Sequence, residues 1–350
     1  MQPPAVLDRL PPLFSSRLSR TTCTCGTPSS SRRCATGACP GEAGRTRIQT
    51  DGESQGRSVV GVWLARGGFG LSCARIAPAV VISVWLLAVL RLTASGAALP
   101  HPAHIVLVIE ENKSLAQIDG SRSAPYLNGL IRSGALFTNS HGVTHPSLPN
   151  YFALFAGLTN DNGDGCPATG VPPSAPNLAS ELLASRLTFA AYSEGLPQAG
   201  WKGCAAGRYG RKHAPWVHFT NVPGSLQLPL RAFPKFDRLP ALAVVVPDLD
   251  DDMHDGTIEE GDVWLARNLG PLVAWASRHD TLIVVTWDEG FDPFNTVPTI
   301  FAGPMVKPGR YREPVNHYRV LRTLEDLERL PHVGRSTGVT PISDCWRSAP

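Results

Sequence analysis

An apolar stretch that ends abruptly in acidic residues constrains the fold of this chain more than any other feature. Residues 105–109 are all aliphatic and mostly β-branched, and Glu110, Glu111 and Asn112 follow them directly. A run of this length and composition predicts a strand buried on both faces of a sheet. Because ligand sites in open α/β sheets lie at the carboxyl ends of strands, the acidic tip is a candidate site. A solvated turn is the alternative interpretation of this stretch taken alone.

A second predicted strand ends in the same way. Residues 241–246 are apolar, and the segment 248–255 after them contains five Asp and His254. Carboxylates this close repel one another unless a cation or solvent relieves them, and a histidine among them favours a divalent metal. Asp248 or Asp252 would be the ligand from this tip. A solvated acidic loop is the alternative interpretation.

The third acidic tip follows residues 281–287, a run that leads directly into Asp288 and Glu289. Three strands would thus deliver Glu111, an aspartate of the second tip and this pair to one edge of the sheet. Such convergence is electrostatically unfavourable without a counterion. The sequence therefore predicts a hard divalent cation at that edge.

Predicted strands and helices alternate from residue 104 onward in the order βαβαβ…βαββα. This order predicts an α/β fold with a mostly parallel central sheet and helices on both faces. Besides the three strands above, strands are predicted over residues 135–138, 188–193 and 298–302. Helices are predicted over residues 123–133, 148–156, 178–187, 259–278 and 317–330. The chain has neither a nucleotide-binding glycine fingerprint nor a P-loop motif.

The N-terminal part of the chain differs in composition from the rest. Residues 1–75 are rich in Ser, Thr, Gly, Pro and Arg without an apolar period, which predicts a disordered leader. Residues 1–77 contain ten Arg and four acidic residues, whereas the remainder is net negative, so no nucleic-acid partner is expected. No Met lies between Met1 and Met253, and a true start at a non-ATG codon near Val62 is one hypothesis.

Residues 76–90 form an apolar run with arginines on either side and small residues after it. Fifteen helical residues span only about 22 Å, which is short of a bilayer core, so residues 76–98 are predicted to be a secretory signal peptide. A membrane anchor is the alternative, with membrane contact through residues 76–90. The protein is expected to be secreted or at the cell surface, with a catalytic domain over residues 99–335 and a tail over 336–350.

The exported part contains three cysteines. In an oxidising compartment we expect Cys166 and Cys204 to form a disulfide that closes a Gly- and Pro-rich loop, with Cys345 left over. Three buried thiols are the alternative.

A serine lies where the helix over residues 148–156 should begin. Ser147 could be an ordinary N-cap, with Pro149 tolerated in the first turn. It could instead be a nucleophile at a helix N-terminus, where free N–H groups and the helix dipole favour a phosphate. A serine needs a base or a metal to act as a nucleophile. Thr144 is the nearby rival for this role.

Six short motifs resemble a known family. They are Glu-Asn-Lys-Ser at 111–114, His-Pro-Ser-Leu-Pro-Asn-Tyr at 145–151, Lys-His at 212–213, Asp-Met-His-Asp-Gly at 252–256, Trp-Asp-Glu-Gly at 287–290 and Asn-His-Tyr at 316–318. Together they resemble the bacterial phosphoesterase family, which contains secreted acid phosphatases, phosphatidylinositol-3-phosphatases and phospholipases C on an alkaline-phosphatase-like α/β fold. The resemblance runs through residues 103–331 in unbroken order, and the chain most resembles the smaller acid phosphatase and phosphoinositide phosphatase branch.

The resemblance implies roles for individual residues. It implies a metal held or bordered by Glu111, Asn112, Asp288 and Glu289, and the second acidic tip adds Asp252 to the predicted ligands. The cofactor would be a divalent cation, with Ca, Mg, Mn and Zn not distinguished.

The same resemblance implies that Ser147 forms a phosphoseryl intermediate and that His254 serves the leaving group or binds phosphate. The predicted substrate-binding residues are Lys212, His213, His145, His317 and Asn150.

These features together predict an exported, metal-dependent phosphomonoesterase that acts on a phosphorylated small molecule or a phospholipid headgroup. A phospholipase C-type phosphodiesterase is the enzymatic alternative. A cation-binding surface protein with an inactive site is the alternative of another class.

Overall fold

The computed structural model of the protein describes residues 99–347. The predicted leader and the apolar segment 76–90 lie outside the described residues, and the predictions made for them stay predictions. Across residues 99–347, no helix is both long enough and apolar enough to cross a membrane.

The helices and strands of this part are numbered in chain order. The helices are α1 Leu115–Ile118, α2 Pro125–Ser133, α3 Ser147–Ala156, α4 Leu178–Ala184, α5 Ile258–Asn268, α6 Gly270–Ala276 and α7 His317–Leu327. The strands are β1 His104–Glu110, β2 Ala135–Phe137, β3 Ser140–His141, β4 Phe189–Ser193, β5 Ala205–Ala206, β6 Tyr209–Gly210, β7 Gln227–Pro229, β8 Leu242–Val246, β9 Thr281–Trp287, β10 Thr299–Ala302, β11 Gly309–Tyr311 and β12 Val315–Asn316.

An eight-stranded sheet forms the centre of the fold, in the order β11-β2-β10-β9-β1-β8-β4-β7. The predicted strand β1 lies in its middle and pairs in parallel with both β8 and β9. Strands β8, β4 and β7 continue the parallel arrangement on one side. On the other side β10 is antiparallel to both of its neighbours, β9 and β2. The predicted α/β fold with a mostly parallel sheet is therefore confirmed.

Helices cover both faces of the sheet because side chains alternate along each strand. On β1, Ile105, Leu107 and Ile109 belong to an apolar cluster that includes side chains of α3, α4 and α7. Val106 and Val108 belong to the opposite cluster, with side chains of α2, α5 and α6. Each such side chain, when fully buried, contributes about 1.5–3 kcal/mol. Burial on both faces therefore explains why residues 105–109 of β1 form an unbroken apolar run.

Several elements differ from the sequence prediction. The helix expected over residues 259–278 is two helices, α5 and α6. Pro271 lies in the first turn of α6, where its missing N–H costs nothing, whereas it would interrupt a continuous helix. The short strands β7 and β11, each three residues long, were not predicted.

The cysteine prediction is confirmed for the described residues. Cys166 and Cys204 form a disulfide that bridges a sequence separation of 38 residues. Cys345 is a buried free thiol. The disulfide ties the loop after α3 to the irregular segment that contains β5 and β6.

Candidate active site

The three acidic tips meet at the carboxyl edge of the sheet. Strands β1 and β9 pair in parallel over their whole lengths, so Glu111 and Asp288 continue the two strands side by side. The backbone N–H of Asn112 donates to Asp288 Oδ1 at 3.1 Å. The backbone N–H of Glu111 donates to the carbonyl oxygen of Asp252, in the loop after β8, at 2.8 Å. The fold therefore assembles the three tips that the sequence analysis singled out.

The carboxylates of this cluster are buried. Glu111 and Asp252 are 0 % exposed, Asp288 1 % and Glu289 4 %. Burial, followed by the charge of Glu289, raises the pKa of Asp288 to about 7. Burial, followed by the charge of Asp164, raises the pKa of Glu289 to about 7. Burial is also the main reason that the pKa values of Glu111 and Asp252 lie well above the usual carboxyl range.

Several oxygens of the cluster lack a hydrogen-bond partner. They are Glu111 Oε1, Asn112 Oδ1, Asp252 Oδ2 and Asp288 Oδ2, all of them buried. Buried polar atoms without partners are rare because each one loses its hydration without compensation. Four unsatisfied oxygens in one cluster of acids are the donor set that a hard cation requires.

His213 lies between two of these carboxylates. Its Nε2 is 3.1 Å from Glu111 Oε1 and its Nδ1 is 2.9 Å from Asp252 Oδ2. The ring stacks on Tyr151, with centroids 5.2 Å apart and planes 9° from parallel. Burial, and then the charges of Lys212 and His254, lower the pKa of His213 well below its ordinary value. A neutral imidazole carries one N–H, so one ring nitrogen presents a lone pair to a carboxylate, and an ion between them would relieve the contact.

One oxygen of Glu111 and one ring nitrogen each of His213 and His254 lie close enough to share one ion, with these three atoms within 4.8 Å of one another. His213 was predicted from the sequence to bind phosphate. It lies inside the acidic cluster, at 2 % exposure, and is not among the residues that line the open cleft.

Ser147 is the first residue of α3, and its side chain does not cap the helix. The preceding Pro146 is the N-cap residue and has no side-chain cap. The Ser147 hydroxyl instead donates to Glu111 Oε2 at 3.0 Å. The interpretation of this serine as an ordinary cap therefore does not match its geometry.

The capping role at α3 belongs to Asp164. Its Oδ1 accepts from the backbone N–H of Leu148 at 2.9 Å, while its Oδ2 is 3.3 Å from Lys212 Nζ. Lys212 Nζ in turn donates to His254 Nε2 at 2.6 Å, and His254 Nδ1 donates to Asp255 Oδ1 at 2.7 Å. A chain of polar contacts thus runs from the start of α3 to the loop after β8.

An open cleft of about 560 Å³ lies over the cluster. Its lining residues are Asn112, His145, Pro146, Ser147, Asp164, His254, Glu289, Phe291 and Asp292. Phe291 and Phe294, 67 % and 76 % exposed, belong to the loop after Glu289. The cleft therefore combines acids and a serine at its base with an apolar rim.

The remaining predicted binding residues surround this cleft in different ways. His145 lines it, and its Nδ1 lies 2.7 Å from Glu289 Oε2. Asn150 is 1 % exposed, and its amide bonds the backbone that leads into Ser147, accepting from two N–H groups and donating to two carbonyls. His317 Nε2 donates to the carbonyl of Asp288 at 2.5 Å, and burial lowers its pKa to about 4. Asn150 and His317 therefore do not line the cleft. They hold in place the backbone that leads to Ser147 and the backbone of Asp288.

Sequence reasoning missed Asp164, Tyr151 and Phe291. Tyr151 lies within the His-Pro-Ser motif, but no pattern indicated that it stacks on His213. Asp164 is two residues from Cys166. The predicted disulfide between Cys166 and Cys204 could therefore have indicated that the loop with Asp164 lies near the segment that follows Cys204.

Comparison with known proteins assigns the chain to a family. The sequence model of the phosphoesterase family matches residues 120–331. A phosphatidylinositol-3-phosphatase of Mycobacterium tuberculosis is 46 % identical over 271 residues, covering 76 % of this chain and 90 % of that protein. A probable acid phosphatase of Kluyveromyces lactis is 29 % identical over 66 % of this chain and 59 % of its own length.

A solved structure of a Vibrio parahaemolyticus protein in the alkaline phosphatase superfamily is similar in fold. It has a TM-score of 0.50 at 12 % identity and covers 71 % of this chain and 72 % of that one. The family match and the 46 % identical relative both extend over more than half of the sequence. The chain therefore belongs to the phosphoesterase family and is a hydrolase that acts on phosphoric ester bonds.

Proposed function

We propose that this protein is an exported, metal-dependent phosphomonoesterase with Ser147 as its nucleophile. One observation carries the proposal: the Ser147 hydroxyl donates to Glu111 at the start of a helix and at the base of an open cleft. The names of the relatives, a phosphatidylinositol-3-phosphatase and acid phosphatases, support a monoester substrate.

The nucleophile would be activated by its neighbour. A serine hydroxyl is a weak nucleophile until a base removes its proton. Glu111 Oε2 accepts the hydrogen bond of Ser147 at 3.0 Å and would take that proton as the serine oxygen bonds to phosphorus. The N-terminus of α3, with its positive dipole end, favours the phosphate oxygens at this position. The product of this step is a phosphoserine and a departing alkoxide.

Lys212 and His254 would serve the leaving group. Lys212 Nζ donates to His254 Nε2 at 2.6 Å, so the pair holds a proton at the wall of the cleft. That proton can pass from the pair to the departing alkoxide. The pair, now one proton short, can then accept a proton from the water that attacks the phosphoserine, while the proton held by Glu111 returns to the Ser147 oxygen as inorganic phosphate is released.

The acidic cluster fits a divalent cation. Glu111, Asn112, Asp252 and Asp288 would hold it through their unsatisfied oxygens, with His213 and Glu289 beside them. A bound divalent ion would neutralise phosphate charge and lower the pKa of the serine hydroxyl. The oxygen-rich donor set favours a hard cation, and the single buried imidazole is compatible with Mn²⁺ or Zn²⁺ as well.

Turnover of p-nitrophenyl phosphate and of bis(p-nitrophenyl) phosphate, measured side by side, tests the reaction class. A phosphomonoesterase releases p-nitrophenol from the monoester at least tenfold faster than from the diester. The reverse preference would identify a phosphodiesterase and overturn the proposal.

A phosphoinositide headgroup is the second candidate substrate, favoured by the apolar rim of the cleft. Phe291 lines the cleft and Phe294 lies three residues further along the same loop, and acyl chains or a lipid surface could contact both of these exposed side chains. Phe294→Ser should then slow hydrolysis of a monophosphorylated phosphoinositide in vesicles and leave p-nitrophenyl phosphate turnover unchanged. Val263→Ser, at a third exposed apolar position (58 %) on α5, is the matched control.

Export is supported by the chemistry of the chain. The Cys166–Cys204 disulfide is typical of proteins that fold in an oxidising compartment. The apolar segment 76–90 would supply the export signal, and N-terminal sequencing of the secreted protein tests where it is cleaved.

A further inference from the structure

The two ring nitrogens of His254 face neighbours of opposite kind. Nδ1 is 2.7 Å from Oδ1 of Asp255, and Nε2 is 2.6 Å from Nζ of Lys212. A carboxylate only accepts hydrogen bonds, whereas an ammonium group only donates them. The proton on Nδ1 therefore points to Asp255, and the lone pair of Nε2 is left for Lys212.

The opposite tautomer of His254 would conflict with both neighbours. With the proton on Nε2, the lone pair of Nδ1 would face a carboxylate oxygen, and the Nε2–H would face the ammonium group of Lys212. The hydrogen bond from His254, followed by the charges of His254 and Arg208, lowers the pKa of Asp255 and keeps it ionised. The charge of Asp255 therefore selects the Nδ1–H form of the ring.

Asp255 is itself held by Arg208, which lies in the turn between β5 and β6. Arg208 Nη2 donates at 2.8 Å to Asp255 Oδ2, the oxygen that His254 does not use, and it also pairs with Asp250. The backbone supports this contact. The N–H of Leu249 donates to the Arg208 carbonyl at 3.1 Å, and the Leu249 carbonyl accepts from the Asp255 N–H at 2.7 Å. The Asp255 carboxylate is therefore fixed at both of its oxygens.

The pair of Arg208 and Asp255 is too exposed to contribute much to folding. The two side chains are 41 % and 44 % exposed, and ion pairs at such positions are weak. The residues that line the cleft include His254 but neither member of this pair. The contacts of the pair thus lead to an imidazole of the cleft, and orienting that imidazole is the role that its geometry supports.

We propose that Asp255 and Arg208 are positioning residues for the departure of the leaving group. Asp255 keeps the proton on His254 Nδ1, and Arg208 keeps Asp255 in place. This positioning role rests on the function proposed above for Lys212 and His254.

The proton that moves is then the one between Lys212 Nζ and His254 Nε2. It bonds to the departing oxygen as the bond between that oxygen and phosphorus breaks. The proton on Nδ1 stays where it is, bonded to Asp255. Because Nδ1 remains occupied, the Lys212–Nε2 side of the pair is the side that takes a proton back from the attacking water.

The first test compares a good and a poor leaving group on the full chain. p-Nitrophenolate departs with little need of a proton, whereas an alkoxide needs one. The measured quantity is kcat/KM, which includes the departure of the leaving group but not the later hydrolysis of the phosphoserine. Asp255→Asn should lower it roughly ten- to a hundredfold for glycerol 2-phosphate and less than about threefold for p-nitrophenyl phosphate. Arg208→Gln should show the same selectivity with a smaller loss.

Two further variants give this comparison its controls. Asp250→Asn lies in the same loop, carries the same charge change and pairs with the same arginine, and it should leave the ratio of the two substrates unchanged. His254→Gln should be at least as selective as Asp255→Asn. Selectivity in His254→Gln alone would overturn the positioning role and leave the function of His254 intact. Equal slowing of both substrates in His254→Gln would remove the leaving-group function as well.

The second test reads the tautomer of His254 without any turnover. In the full chain labelled with ¹⁵N-histidine, the signals of this ring are those that are missing from His254→Gln. They should show a protonated Nδ1 and an unprotonated Nε2 in the wild type and in Asp250→Asn, and a shift of the proton toward Nε2 in Asp255→Asn. An unchanged tautomer in Asp255→Asn would overturn the proposal, even for a chain that hydrolysed no phosphomonoester.

Discussion

Replacing Ser147 by alanine separates a nucleophile from a structural serine. The structure limits what the hydroxyl contributes to folding. It donates one hydrogen bond to Glu111 at 3.0 Å and does not cap α3. Loss of a hydrogen bond to a charged group costs about 1.5–3 kcal/mol of stability. A domain with a stability of about 5–15 kcal/mol remains folded after such a loss.

The effect on catalysis should be far larger. If Ser147 is the nucleophile, the alanine variant loses the covalent route, and kcat should fall by at least about four orders of magnitude. That loss corresponds to about 5.4 kcal/mol of activation free energy at 1.36 kcal/mol per decade. The fraction of folded protein cannot explain a drop of this size.

The assay is p-nitrophenyl phosphate turnover together with thermal unfolding and metal analysis of the same preparation. Thr144→Ala is the matched control, because its hydroxyl lies close in the chain but donates to the backbone carbonyl of His145. Acid quench with labelled substrate should trap phosphate on a peptide that contains Ser147. Retention of a tenth or more of the wild-type rate by Ser147→Ala, or a label that maps to Thr144, would refute the assignment.

Other predictions follow from the same contacts. Dialysis against a chelator should abolish phosphatase activity and a divalent ion should restore it; undiminished activity with excess chelator would contradict the metal-dependent mechanism. Asp164→Ala should lower the midpoint of unfolding by a few degrees through loss of the α3 cap, about 1 kcal/mol, and should raise KM because Lys212 loses its partner. Burial raises the pKa of Glu328 to about 7, above its unfolded value, so the folded state binds the proton more tightly and stability should fall as the pH rises from about 4.5 to 7. Glu328→Gln should therefore raise the midpoint at pH 8 but not at pH 4.5, with the exposed Glu259→Gln as control. A chain that begins at Leu99 should fold and turn over substrate normally, and insolubility of that chain alone would show that the domain boundary is wrong.

The central strands could be predicted because burial on both faces requires an unbroken run of apolar residues. Strand β9 was predicted at its observed limits, since both of its faces are covered and every residue in it is buried. The edge strands β7 and β11 could not be predicted, because three residues are too few to show a hydrophobic period. The reversed direction of β10 follows from its connection to β9, which contains no helix, so that the chain returns as a hairpin.

The site residues that follow predicted strands could be identified from the sequence. The site residues that are placed by tertiary contacts could not. The acids at 111, 252 and 288 follow apolar runs and were found from that pattern. The position of His213 between Glu111 and Asp252 depends on an irregular segment whose path has no local signature. The same holds for Asp164, which the irregular loop after α3 brings back to the start of that helix.

The disulfide has a consequence for where the enzyme can work. It joins the loop that carries Asp164 to the segment that carries Lys212, and the N–H of Arg211 donates to the carbonyl of Cys204 itself. Before the two thiols are oxidised, no covalent bond joins the loop that caps α3 to the segment that holds His254. On the export route proposed above, this bond would form only after the protein had left the reducing cytoplasm. The cell's own phosphate esters would then meet only a chain whose cleft lacks that covalent link.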